Sequence, residues 1–212
     1  MVRHMLLMMT AVVVVAVSSV YAEEAKKECS ECPIAAAMKN LPQLTYLVGE
    51  ETTQCRKTAG KLAEESGTPI VYLVGKKKFE DADKAKLALV TATEEYVATF
   101  AEPKTCKISG TTTIAGTKTE CSESTAKLAA ILASANSSVK QTYQVGEEQC
   151  DCPHAAAALA KSTGSPKLFV VGKERTQCAV TARLNLARAQ YKAMVEAMAE
   201  AQKQPESSES DS

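Results

Sequence analysis

Thr45-Tyr46-Leu47-Val48-Gly49-Glu50-Glu51 returns later in the chain as Thr142-Tyr143-Gln144-Val145-Gly146-Glu147-Glu148. The match continues without a gap through Cys55/Cys152, Leu62-Ala63/Leu159-Ala160, Gly67/Gly164, Pro69/Pro166 and Val74-Gly75-Lys76/Val171-Gly172-Lys173. A fixed offset held over this length marks an internal repeat. It divides the chain into a first half, 23–105, and a second half, 106–203.

Each half divides again. Tyr-x-Val-Gly, or a string close to it, precedes a cysteine by about six residues, and an Ala/Leu-rich stretch follows. Tyr46 to Gly49 leads to Cys55, Tyr143 to Gly146 to Cys152, and Phe169 to Gly172 to Cys178. Thr113-Ile114-Ala115-Gly116 leads to Cys121, whereas Tyr72 to Gly75 ends at Asp81, where the cysteine is replaced. β-Branched and aromatic residues before each glycine suit strands, and Gly-Glu or Gly-Lys suits a tight hairpin turn. The stretches after the cysteines have helical spacing. The predicted unit is therefore strand–turn–strand–helix, and the predicted fold is α+β, a tandem duplication of hairpin–helix units with a long closing helix in each half.

One closing helix follows Asp81 or Asp83, either of which can cap it, with Ala82, Ala85, Leu89, Ala92, Tyr96 and Phe100 on one face. The other runs through Ala182, Leu186, Ala189, Ala193 and Ala197, widened by Leu184, Tyr191, Met194 and Met198. Shorter helices are expected after Cys32, Cys55, Cys121 and Cys152, stopping near Pro42, Gly67, Asn136 and Gly164. Apolar positions are mostly Ala, Leu and Val, with 6 Tyr, 3 Phe and no Trp, so the expected cores are thin.

The ends read differently. Residues 1–22 carry Arg3 and His4, an apolar run from Met5 to Val17, and small residues at Val20 and Ala22. This is the pattern of a secretory signal peptide, and the run is shorter than the ~20 residues needed to span a bilayer. The expected location is periplasmic or secreted, with no membrane span left after cleavage. Residues 204–212 form a polar acidic tail expected to be disordered. Lys+Arg and Asp+Glu number 25 each, without a basic–aromatic patch, which argues against a nucleic-acid partner.

The chemistry lies in 8 cysteines. Cys29-x-x-Cys32 and Cys150-x-Cys152 form close pairs, and Cys32 and Cys152 each precede a proline, the favoured first residue of a helix. A thiol at a helix start is pushed toward thiolate by unsatisfied amides and the helix dipole, which raises its nucleophilicity and its affinity for metals. His154 adds a borderline ligand beside Cys150 and Cys152, and Cys55 and Cys178 can join if the fold brings them near. Three readings stand: a site for Zn(II), Cu(I) or a toxic heavy metal; a disulfide-stapled structural or interaction module; and a thiol–disulfide oxidoreductase. The partner is then a metal ion or another exported protein. No phosphate-binding glycine loop, His-Glu-x-x-His or serine-nucleophile turn is present, and no catalytic residue is assigned.

The hairpin Tyr46-x-Val48-Gly49 with Cys55 at the following helix start resembles the small TRASH/YHS-type heavy-metal-binding modules. The chain as a whole looks like an exported bacterial cysteine-containing repeat protein. The resemblance implies soft-metal binding by hairpin-presented cysteines.

Overall fold

In the computed structural model, which describes residues 33–203, five β-hairpins follow from short β-branched or aromatic runs broken by two-residue turns. Gly49 sits at φ 61 in the first turn, a left-handed conformation that costs glycine nothing and other residues about 1–2 kcal/mol. Ala115 occupies the same region at φ 48, the single non-glycine residue to do so among those described. Its amide donates to the Phe100 carbonyl at 3.1 Å, and its methyl packs against the core, which holds the turn in place.

The architecture is mixed α+β, with six helices and three small antiparallel sheets among the described residues. In the first sheet, β1 (Leu44–Val48) and β3 (Ile70–Val74) are central, flanked by β2 (Glu51–Thr53) and β4 (Lys77–Phe79). The last sheet places β8 (Gln141–Val145) and β10 (Lys167–Val171) between β9 (Glu148–Cys150) and β11 (Glu174–Thr176). The central registers correspond: Leu44 faces Val74 and Val48 faces Ile70, while Gln141 faces Val171 and Val145 faces Lys167. Directly opposed aromatic pairs lock both registers, Tyr46 edge-on to Tyr72 at 5.7 Å and Tyr143 tilted on Phe169 at 5.6 Å. The middle sheet joins β6 (Thr112–Ile114) to β7 (Thr117–Thr119) and adds β5 (Lys104–Thr105), a two-residue strand with too little alternation to be predicted.

The helices are α1 (Pro33–Met38), α2 (Arg56–Ser66), α3 (Ala82–Ala101), α4 (Ser122–Ser138), α5 (Pro153–Thr163) and α6 (Ala179–Lys203). Gly67 and Gly164 end α2 and α5 in the left-handed conformation, returning their amides to Ala63 and Ala160. Asp81, rather than Asp83, caps α3.

The buried stripes differ from those expected from spacing. On α3 the fully enclosed residues are Ala85, Leu89, Val90, Thr93 and Val97, so the core line is rotated from Ala92, Tyr96 and Phe100. Thr93 is 0% exposed because its hydroxyl donates to the Leu89 carbonyl at 2.7 Å, leaving only its methyl to pack. On α6 three of the four residues expected to widen the face form its centre, Tyr191, Met194 and Met198, with Ala182 and Ala187, while Leu184 is half-buried. Large side chains decide the line where alanines give little contrast.

One buried cluster draws Leu41, Val97, Ile114, Leu132, Ala187, Tyr191, Met194 and Met198 from α1's exit, α3, β6, α4 and α6. Side chains from both segments, 23–105 and 106–203, therefore share a core. Tyr191 is its hub, edge-on to Tyr96 at 5.5 Å and to Phe100 at 4.9 Å, with its hydroxyl on the Ala37 carbonyl at 3.4 Å. Burial pushes its phenol pKa up. Arg183 of α6 holds Glu94 of α3 in a two-pronged ion pair, 3.1 and 2.7 Å. No helix of the described residues is long and apolar enough to cross a membrane. The expected signal peptide, the acidic tail, Cys29 and Cys32 lie outside the described residues.

Candidate functional site

At the passage from hairpin to helix the same construction recurs. Cys55, Cys121 and Cys152 occupy helix N-caps with nearly identical backbones, φ −92, −91 and −93, and their carbonyls accept the first helical hydrogen bonds. Cys178 directly precedes α6, and its carbonyl accepts from the Ala182 amide at 3.0 Å. At three of the four, a threonine two residues earlier holds the cysteine backbone: the amides of Cys55, Cys121 and Cys178 donate to Thr53, Thr119 and Thr176 Oγ1, each at 3.1 Å. The chain thus arrives at the helix with its thiol already aimed across the open amides.

Asp81 shows what an anion does at this position. Its carboxylate accepts from the Asp83 amide at 3.0 Å and the Lys84 amide at 2.7 Å. At Cys55 and Cys121 no N–H···S hydrogen bond is closed, and the amides act on sulfur as oriented dipoles. They still hold these thiols below the ordinary range. The Thr58 hydroxyl is the chief cause at Cys55, with the Thr58 and Lys57 amides behind it. At Cys121 the Ser124 amide leads, followed by its hydroxyl and the Glu123 amide, against opposition from burial and the Glu123 carboxylate. The Thr181 hydroxyl leads at Cys178, then the Thr181 and Val180 amides, with Lys86 adding positive charge.

Cys106 is the most acidic thiol described. It opens a tight turn closed by Gly110 N–H to Cys106 C=O and Cys106 N–H to Thr111 C=O, each 2.9 Å. The Ser109 hydroxyl, then the Ser109 and Ile108 amides, bring its pKa down to about 7. The recurrent pattern is Thr-x-Cys-x-x-Ser/Thr, reduced to Cys-x-x-Ser at Cys106. It is visible in the sequence once the residues two before and three after each cysteine are aligned. Sequence reasoning weighed the cysteine pairs and missed these hydroxyl partners, together with Cys106.

Cys150 and Cys152 break the pattern in an informative way. Cys150 stands opposite Tyr143 in its hairpin, where Thr53 faces Tyr46 and Thr176 faces Phe169. A second thiol has thus replaced the threonine, and Ala155 has replaced the later hydroxyl residue. Cys150 is partly buried at the end of β9, whereas Cys152 and His154 are exposed at the start of α5. Among the described residues no three His, Cys, Asp or Glu side chains are grouped so as to hold a metal ion. All six described cysteines are free thiols. The chain matches no protein-family model, and no curated protein or solved structure is significantly similar to it.

Proposed function

We propose that this chain is an exported, tandemly duplicated protein of hairpin–helix units that binds a soft metal ion through cysteine thiolates, with Cys150 and Cys152 as the principal ligand pair. The observation that carries this reading is two thiols at one passage from hairpin to helix, Cys150 ending β9 and Cys152 at the N-cap of α5. Thiolate is the form that ligates metals and soft ions prefer it. The matched registers of the first and last sheets support the duplication. Export rests on the sequence of residues 1–22.

Two thiolates suit Cu(I) or another strongly thiophilic ion better than Zn(II), whose structural sites take four ligands. Cys29 and Cys32, with His154, are the residues available to enlarge the site. Anaerobic titration of the reduced chain with Cu(I) against a chromophoric chelator tests the reading. One tight equivalent is expected, lost when Cys150 and Cys152 are both changed to serine and kept when Cys106 is. Failure of the reduced wild-type chain to compete with the chelator would sink the proposal. So would an intact mass showing every one of the 8 cysteines oxidised in protein from its native compartment.

A further inference from the structure

One face of α3 is left open to solvent beside a groove. A groove of about 630 Å3 runs between α3 and the β3–β4 hairpin, lined on the helix side by exposed Lys84, Leu87, Thr91 and Glu95 and half-buried Ala88 and Ala92. Leu87 is 47% exposed there, one of two large apolar side chains so exposed among the described residues. Along one arc of the helix stand Lys84, Leu87, Ala88, Thr91, Ala92 and Glu95. Thr91 turns its hydroxyl back to the Leu87 carbonyl at 3.2 Å, which leaves its methyl outward.

These six residues are symmetric about the point midway between positions 89 and 90. Lys84 mirrors Glu95, Leu87 mirrors Ala92, and Ala88 mirrors Thr91. An isologous interface needs this property, since residue i meets j while j meets i. We infer that a second copy of this chain occupies the groove, its α3 antiparallel to the first across a two-fold axis. The large Leu87 then fills the space over the partner's Ala92, and the small Ala88 and Thr91 let the axes approach. At each end Lys84 meets the partner's Glu95.

Neither Lys84 nor Glu95 has an ion pair of its own among the described residues, unlike Lys86 with Asp83 or Arg183 with Glu94. Lys76 and Lys77 of the β3–β4 hairpin also line the groove. An antiparallel partner brings its acidic helix start, Glu80 and Asp81, toward these lysines. The corresponding stripe of α6 reads Thr181, Leu184, Asn185, Arg188, Ala189 and Lys192, with no mirrored charges. The self-complementary pattern therefore belongs to α3 alone of the two long helices.

Charge reversal tests the pairing. Sedimentation velocity of the purified chain, with reductant to exclude intermolecular disulfides, should show a reversible monomer–dimer equilibrium. Lys84→Glu and Glu95→Lys should each raise the dissociation constant about tenfold or more, since like charges then meet at both ends. The double variant, K84E with E95K, should return it to near the wild-type value. Circular dichroism checks that each variant is folded. A monomer at every concentration, whether empty or carrying a co-purified amphiphile, overturns the inference. A dimer indifferent to the single reversals, or not rescued by the double one, overturns it as well.

Discussion

At the residue scale, the thiols differ in ways that their shared pattern does not announce. Cys106, drawn down to about 7 by Ser109 and two amides, should be half-ionised near neutral pH, whereas an ordinary cysteine ionises near ~8.5. Alkylation by iodoacetamide, followed site by site with mass spectrometry, should therefore rise through about pH 7 at Cys106. Ser109→Ala should move that midpoint upward, and an unchanged midpoint would remove the hydroxyl from the account. A thiol whose pKa is lower folded than unfolded stabilises the fold fully above the unfolded value. That contribution is lost as pH falls through about 7, so the turn around Cys106 loosens toward acid, not toward base. Asp81 occupies the equivalent helix start with a carboxylate as its cap in place of the thiol.

At the scale of elements, that cap can be measured. Removing the two amide contacts in Asp81→Ala should cost about 1 kcal/mol of unfolding free energy, within the ~0.5–2 kcal/mol range for N-caps. Urea denaturation gives the value, and a loss below ~0.3 kcal/mol would mean that the carboxylate contributes nothing that water cannot supply. The hairpins and helix starts were legible in the sequence because turn glycines, β-branched strands and Cys-Pro or Asp starts each act over a few residues. The core line was not. On α3 half of the apolar positions are alanine, so Ala85, Leu89 and Ala92 mark a face only loosely, and which side is enclosed depends on where α6 lies. Thr93 reads as polar and is buried all the same, since its hydroxyl is satisfied within the helix. Part of the site was readable for a similar reason: Cys152-Pro153 announces a helix start locally. The threonines that position the other thiols look ordinary one at a time, and only aligning the units exposes them.

At the scale of the whole molecule, α6 is the organising piece, lying against α1, α3, α4, β10 and β11. Tyr191, 1% exposed, links two of these neighbours, α3 through Tyr96 and Phe100 and α1 through the Ala37 carbonyl. Tyr191→Ala should cost about 3–5 kcal/mol, a large fraction of the ~5–15 kcal/mol that holds a domain together. Tyr191→Phe, which keeps the ring contacts and gives up only the long hydrogen bond, should cost less than ~1.5 kcal/mol. Equal losses in the two variants would mean that the hydroxyl, and not the ring, matters. The position of α6 also governs when the fold can form. Its 25 residues follow every other described helix, and they supply half of the shared buried cluster. A ribosome adding ~5–20 residues per second completes the hairpins and α1 to α5 before α6. Until α6 is made, the described residues before it lack half of that cluster, and Leu41, Val97, Ile114 and Leu132 have nothing from α6 to pack against.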